Sequence, residues 1–108
     1  MPAYMIVTAK IADRDAFIAG YGAAAAKLVA QFGGKYVLRA PGATALEGSL
    51  GAEDFGGASM VISEWPDRAT AEAFWNSPEY AEAKKLREGI AECQVLLIEA
   101  PRINGEPA

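Results

Sequence analysis

Four mainly apolar runs along the chain have the length of β-strands. They cover Ala3–Ala9, Lys35–Arg39, Ala58–Trp65 and Gln94–Ala100. Apolar runs of this length, bounded by glycine, proline and other turn-forming residues, are typical of strands. A further brief strand is predicted over Thr44–Leu50, and an acidic loop is predicted over Gly51–Gly57.

A helix is predicted between the first two strands, from Asp13, which can cap its start, to about Phe32. Gly20 and Gly22 weaken this helix, each by up to about 1 kcal/mol relative to alanine, and small residues there allow close backbone approach. Gly33-Gly34 supplies a left-handed stop. The apolar face of the helix, with spacings of 4, 4, 3 and 4, is formed by Phe17, Tyr21, Ala25, Leu28 and Phe32.

The second helical segment breaks in the middle, into Arg68–Asn76 and Pro78 to about Ala91. Ser77 is a favoured N-cap residue, and proline fits the first helical position because its missing N–H costs nothing there. Phe74 and Trp75 are adjacent, so on a helix they point about 100° apart. One of them is expected in the core, and the other in a pocket or a dimer interface.

The order of elements is β-α-β-β-α-β. Right-handed crossovers place both helices on one face of a four-stranded antiparallel sheet. The sequence therefore predicts an α+β, ferredoxin-like fold, with one domain over residues 1–101 and a C-terminal tail over 102–108.

Two of the predicted strands do not alternate between apolar and polar residues. Tyr4–Val7 and Val95–Ile98 are apolar throughout, whereas a sheet covered by helices on one side should alternate. The simplest cover for the second face is the same face of another copy, which predicts a two-fold homodimer. The alternative is that short strands carry an irregular pattern.

Composition excludes several classes of function. The 108 residues carry a net charge of −4 without a Lys/Arg cluster, so no nucleic-acid partner is expected. The sequence has no histidine and one cysteine, Cys93, which leaves no metal site, no cofactor and no intrachain disulfide expected. Cys93 is expected to be a small buried hydrophobe. No signal peptide or membrane span is recognised, so a cytoplasmic protein is expected.

Tyr80, Lys84 and Arg87 are spaced 4 and 3, so on a continuous helix they share one face with Ser77 one turn earlier. In a functional interpretation this face lines a pocket, where Arg87 binds an anionic group and Tyr80 donates a hydrogen bond or a proton. In a structural interpretation Tyr80 packs in the core, Ser77 only caps the helix, and the two cations are solvated. Tyr21 is expected in the core, or with its hydroxyl at a cavity.

Arg39 ends the second strand and Glu47 lies beyond the following turn. The two side chains either pair across a sheet edge or flank the mouth of a pocket. In a pocket, the arginine would suit a carboxylate, since its planar fork matches carboxylate geometry.

The run Ala73–Tyr80, followed by Leu86-Arg87, closely resembles the helix signature of the domain of unknown function (DUF) 1330 family. The resemblance covers about residues 2 to 100. It implies a dimeric α/β barrel related to small cofactor-independent monooxygenases and isomerases, in a family without a settled activity. The other matching segments are Tyr4–Val7, Gly33–Tyr36 before Arg39, Leu46–Gly48 and Val95–Glu99.

The chain also departs from the family pattern. Members usually have a tryptophan soon after the Glu-Gly pair and a basic residue at the start of the third strand, where this chain has Ser49-Leu50 and Gly56–Ser59. The Gly51–Gly57 loop is also longer than usual. The ligand preference of relatives therefore does not transfer directly.

Three classes of function follow from the sequence. The first is a protein that binds a small acidic or carbonyl-bearing metabolite between helices and sheet, with Arg39, Trp75, Ser77, Tyr80 and Arg87 as candidate ligand-binding residues. The second is a cofactor-independent monooxygenase or isomerase, with Tyr80 as acid and Glu47 as a possible base. The third is a non-catalytic interaction dimer.

Overall fold

The computed structural model describes residues 1–44, 46–48 and 58–101. The predicted Gly51–Gly57 loop, the Ser49-Leu50 departure and the 102–108 tail lie outside these residues. The described elements, in chain order, are β1 (Ala3–Ile11), α1 (Arg14–Phe17), a π-helical segment (Ile18–Gly22), α2 (Ala23–Gln31), β2 (Lys35–Ala43), β3 (Ala58–Trp65), α3 (Arg68–Trp75), α4 (Pro78–Lys85) and β4 (Ala91–Glu99).

The four strands form one antiparallel sheet in the order β2-β3-β1-β4. Ala3 on β1 lies opposite Trp65 on β3 and Glu99 on β4, and this register continues along the strands. The ferredoxin-like α+β fold predicted from the order of elements is confirmed.

Helices α1 and α3 begin at the capping residues that the sequence predicts. The Asp13 carboxylate accepts a hydrogen bond from the backbone N–H of Ala16 at 3.1 Å, and Asp67 accepts one from Thr70 at 2.7 Å. Gly33 has φ +93°, which confirms the predicted left-handed stop after the first helical segment.

Two predicted elements were wrong. The helix after Ser77 ends at Lys85 rather than near Ala91, because the next turns bond to the third residue back and Gly89 takes φ +79°. The brief strand over 44–50 is absent at its described positions, where residue 44 is irregular and residues 46–48 form a bend. Gly48 there has φ +72°, outside the φ range typical of regular β-strands.

The hydrophobic core lies between the helices and one face of the sheet. Trp65, at 1% exposure, packs against Phe74 with ring centroids 5.0 Å apart, and Phe74 also meets Phe32. Phe74 and Trp65 are thus core residues. Gly34 runs directly over the tryptophan: a Cβ there would lie 2.8 Å from the Trp65 ring.

None of the described helices lies on the other face of the sheet, here called the outer sheet face. Leu38, Ile62, Ile6 and Leu96 lie opposite one another and form an apolar row across all four strands. Leu96 is 66% exposed and Ile98 51% exposed. The molecule measures 39 × 36 × 16 Å, and its shortest dimension is the thickness of one sheet and one helical layer.

Candidate functional site

Two tyrosine hydroxyls meet between the helices and the sheet. The Tyr21 and Tyr80 oxygens lie 2.7 Å apart, and their rings meet edge to face with centroids 6.3 Å apart. Tyr80 is almost fully buried, and its ring also packs on Phe74 and Trp75. The pair joins the first helical segment to α4.

Local backbone features position both tyrosines. Tyr21 lies in the π-helical segment between Gly20 and Gly22, and π-helical turns of this kind occur frequently at functional sites. A Cβ on Gly20 would lie 3.8 Å from the Cβ of Leu86, which is an ordinary van der Waals contact, so an alanine would also fit there. The close backbone approach predicted for Gly20 is therefore not what requires a glycine at this position.

Ser77 caps α4 as predicted. Its Oγ accepts a hydrogen bond from the backbone N–H of Tyr80 at 3.1 Å and donates one to the Phe74 carbonyl at 2.8 Å. Both hydrogen-bonding functions of this buried hydroxyl are thus used within the protein. Ser77 fixes the position of Tyr80 through the backbone.

Arg87 lies against the tyrosine pair from the turn after α4. Its guanidinium carbon is 5.3 Å from the centre of the Tyr21 ring, a cation–π distance, and it interacts with the Tyr80 hydroxyl as a hydrogen-bond partner. Its buried Nε–H has no acceptor among the described residues. Tyr21, Tyr80 and Arg87 are here called the tyrosine–arginine cluster.

Cys93 on β4 is half-buried and belongs to the same region, since its sheet position faces the helices and it interacts electrostatically with Arg87 and Tyr21. Burial raises the pKa of the Cys93 thiol, and the Arg87 charge offsets part of that rise. Burial alone would lower the pKa of Arg87, but Cys93 and the two tyrosines raise it above its ordinary value. The guanidinium therefore stays charged.

Tyr21 is a neutral phenol at physiological pH. Burial, the Tyr80 charge interaction and the shared hydrogen bond raise the pKa of Tyr21 far above that of a free phenol. Burial also raises the pKa of Tyr36, which interacts with Tyr80 from β2. Tyr21 therefore presents a hydroxyl proton rather than a phenolate oxygen.

Arg39 and Glu47 are not brought together. Both are exposed, and no ion pair joins them in the part of the chain that the structure describes. The Arg39 guanidinium carbon instead lies 5.3 Å from the centre of the Tyr36 ring. Of the two sequence interpretations, pairing across a sheet edge was therefore wrong.

Trp75 and Lys84 form a separate contact. The Lys84 ammonium lies 4.9 Å from the centre of the half-buried Trp75 ring, which also packs on Tyr80 at 5.0 Å. Lys84 is exposed and lies over this tryptophan, whereas Arg87 lies over Tyr21. The sequence predicts that Tyr80, Lys84 and Arg87 share one helix face. Because α4 ends before Arg87, Lys84 and Arg87 lie over different aromatic rings instead.

Sequence reasoning missed that Tyr36 and Cys93 join this region. Their strand positions are the only signal: both lie on the helix-covered side of the sheet, Tyr36 opposite Ser63 and Cys93 opposite Ala9.

Among the described residues, no three acidic or cysteine side chains are grouped to hold a metal ion. No helix in that part of the chain is long and apolar enough to cross a membrane.

The sequence profile of a family described as Domain of unknown function (DUF1330) matches residues 2–101. The chain belongs to the DUF1330 family. It has no match among curated proteins.

Solved structures with this fold include proteins of known and unknown function. RPA0582 from Rhodopseudomonas palustris, of unknown function, is 19% identical with a TM-score of 0.74, covering 94% of this chain and 84% of its own. SnoaB, a cofactor-independent oxygenase from Streptomyces nogalater, is 14% identical with a TM-score of 0.66, covering 97% and 98%. A Bacteroides thetaiotaomicron protein described as a possible oxidoreductase is 13% identical with a TM-score of 0.56, covering 92% and 97%. At these identities, the likeness concerns the fold.

Proposed function

We propose that this DUF1330 protein binds a small acidic or carbonyl-bearing molecule between its helices and sheet, at the tyrosine–arginine cluster. The observation that carries the proposal is the buried Nε–H of Arg87, which has no acceptor among the described residues and lies beside the hydrogen-bonded hydroxyls of Tyr21 and Tyr80. An unsatisfied buried donor costs about 1–3 kcal/mol. A ligand oxygen would remove that cost.

The other candidate residues have different parts in this proposal. Arg39 and Tyr36 form a second cation–aromatic pair on the helix-covered side of β2, next to Tyr80. Trp75 and Ser77 support Tyr80, one by ring packing and the other by capping its helix. We propose Arg87 and Tyr80 as direct contacts of the ligand, and Arg39 as a contact at its other end.

We further propose that the protein is a homodimer, with the outer sheet face of one copy packed on that of the other. The apolar row across all four strands supports this, since the same face repeated by a two-fold axis is complementary to itself. The cytoplasmic location stays a prediction from the sequence.

A cofactor-independent oxygenase or isomerase is the second candidate function. The fold shared with SnoaB, itself described as a cofactor-independent oxygenase, supports it. The raised pKa of Tyr21 argues against Tyr21 as a general acid or base, because such a group works best with a pKa near the operating pH. The third class, a non-catalytic interaction dimer, predicts that no ligand stabilises the protein.

A thermal-shift screen of small carboxylic acids, ketones and aldehydes tests the proposal. At about ten times its Kd, a ligand adds about 1.4 kcal/mol of stability, which raises Tm by several degrees in a domain of this size. We expect such a shift for wild type and a smaller one for Arg87→Ala. Arg68→Ala is the matched control, because Arg68 is an exposed arginine on α3 paired with Glu72.

Oxygen uptake, measured with each stabilising compound and no added cofactor, separates the first two candidates. A ligand that binds without oxygen uptake or chemical change supports the binding protein. Turnover of a bound compound supports the enzyme. A Tm that no compound shifts would contradict both.

A further inference from the structure

We infer that the ligand group at the tyrosine–arginine cluster is a carboxylate, with one oxygen accepting the Arg87 Nε–H and the other accepting a hydroxyl proton of the tyrosine pair. This inference rests on the proposed function. It narrows the class of acidic or carbonyl-bearing molecules to a single chemical group.

The first step is the donor on Arg87. A guanidinium only donates hydrogen bonds, and its Nε–H is the buried side-chain donor without an acceptor in the described part of the chain. The Tyr21 ring and the Tyr80 hydroxyl already contact the guanidinium. The group that completes this site must therefore offer an acceptor.

The second step is a proton count on the tyrosine pair. Each tyrosine hydroxyl has one proton to donate, and one of the two protons lies in the bond between the oxygens, 2.7 Å apart. The other proton remains to be donated elsewhere. Since either oxygen can be the donor within the pair, either Tyr21 or Tyr80 can present the outward proton.

The third step is charge. No carboxylate of the described residues forms an ion pair with Arg87. The groups that face the guanidinium are the hydroxyls of Tyr21 and Tyr80 and the Cys93 thiol. Among the described residues, this half-buried cation has no carboxylate as a counter-charge.

A carboxylate meets all three requirements at once. It has two acceptor oxygens for two donors, and it supplies the missing negative charge. A ketone or an amide carbonyl has a single oxygen without charge, so it leaves the guanidinium without a counter-charge.

Benzoate and benzamide are the probes for this inference, because they have nearly the same shape and differ in charge and in one acceptor. Binding of each is measured by isothermal titration calorimetry to wild type, Arg87→Gln, Tyr21→Phe, Tyr80→Phe, the double Phe variant and the control Arg68→Gln. We expect benzoate to bind wild type about tenfold or more tightly than benzamide. We expect Arg87→Gln to remove that preference and Arg68→Gln to keep it.

The tyrosine variants test the proton count. Each single Phe variant keeps one hydroxyl, which is then free to donate, so benzoate affinity should fall by less than about 1.5-fold. The double variant has no hydroxyl and should lose about tenfold. All of these variants keep the aromatic rings, and benzamide reports any loss of affinity that comes from structure alone.

Equal affinities for the two probes, a preference for benzoate that survives Arg87→Gln, or no benzoate binding at millimolar concentration would overturn the inference. Additive losses in the two single Phe variants would overturn the shared-proton step. If a neutral ketone stabilises the protein while benzoate does not bind, the proposed function stands and the carboxylate inference fails.

Discussion

At the scale of single residues, the informative contrast is between Arg87 and Lys84. Both are cations near the end of α4, yet Lys84 is exposed over Trp75 whereas Arg87 is drawn in against Tyr21. Their spacing to Tyr80 predicts the same surroundings for both. What separates them is the end of α4 at Lys85, which the residue types between 86 and 90 do not specify strongly.

The pH dependence of Cys93 alkylation measures how burial and the Arg87 charge affect the pKa of the Cys93 thiol. Because burial raises the pKa of the thiol, its reaction with iodoacetamide should reach half of its maximal rate at a pH above the ordinary thiol value of about 8.5. Arg87 favours the thiolate, so Arg87→Gln should move that midpoint to still higher pH. Cys93 is the sole cysteine in the sequence, so alkylation reports on it alone. Identical midpoints for the two proteins would contradict the placement of Arg87.

At the scale of elements, capping and turn residues in the sequence predict most helix boundaries. Asp13, Asp67 and Ser77 each cap the helix predicted for them. The π-helical segment could be anticipated only in part: Gly20 and Gly22 indicate a weak helix, but they do not specify a widened turn. Local sequence therefore predicts where elements start better than how they pack.

Two glycine-to-alanine variants should change stability in opposite directions. Gly34→Ala places a Cβ 2.8 Å from the buried Trp65 ring, and we expect it to lower the free energy of unfolding by about 1–3 kcal/mol. Gly20→Ala meets only an ordinary contact with Leu86, so its better helix propensity should raise stability by about 0.5–1 kcal/mol. Urea unfolding at one fixed protein concentration measures both. If the urea midpoint of Gly34→Ala equals that of wild type, the backbone at Gly34 does not lie close enough to the Trp65 ring to exclude a Cβ.

At the scale of the whole molecule, the protein is 16 Å thick in its shortest dimension. Helices cover one face of the sheet, and none of the described helices covers the outer sheet face. The unbroken apolar patterns of β1 and β4 predict that face from sequence. The tyrosine–arginine cluster, in contrast, assembles residues from the π-helical segment, α4 and the turn after it. Such a cluster depends on tertiary packing, so spacing along the chain predicts the Tyr80–Arg87 part and not the approach of Tyr21.

The outer sheet face has a direct test. Wild type should sediment at twice the monomer mass of 11.4 kDa at micromolar concentration. Leu96→Glu should shift it to the monomer, because an unpaired carboxylate buried between two sheets costs several kcal/mol. Ile18→Glu is the matched control, since Ile18 is 56% exposed on the helical layer. A monomeric wild type, or dissociation by both variants alike, would contradict the proposed interface.

The central claim is that the Nε–H of Arg87 donates a hydrogen bond to the ligand. The most direct test is to record ¹H–¹⁵N spectra of the arginine Nε–H groups during a titration with benzoate. The sequence has five arginines, and the signal absent from Arg87→Lys identifies Arg87. We expect the Arg87 Nε–H signal to move downfield in a saturable way while that of Arg68 stays in place. An Arg87 signal that does not move while benzoate binds, or that moves no more than the other arginines, would contradict the claim.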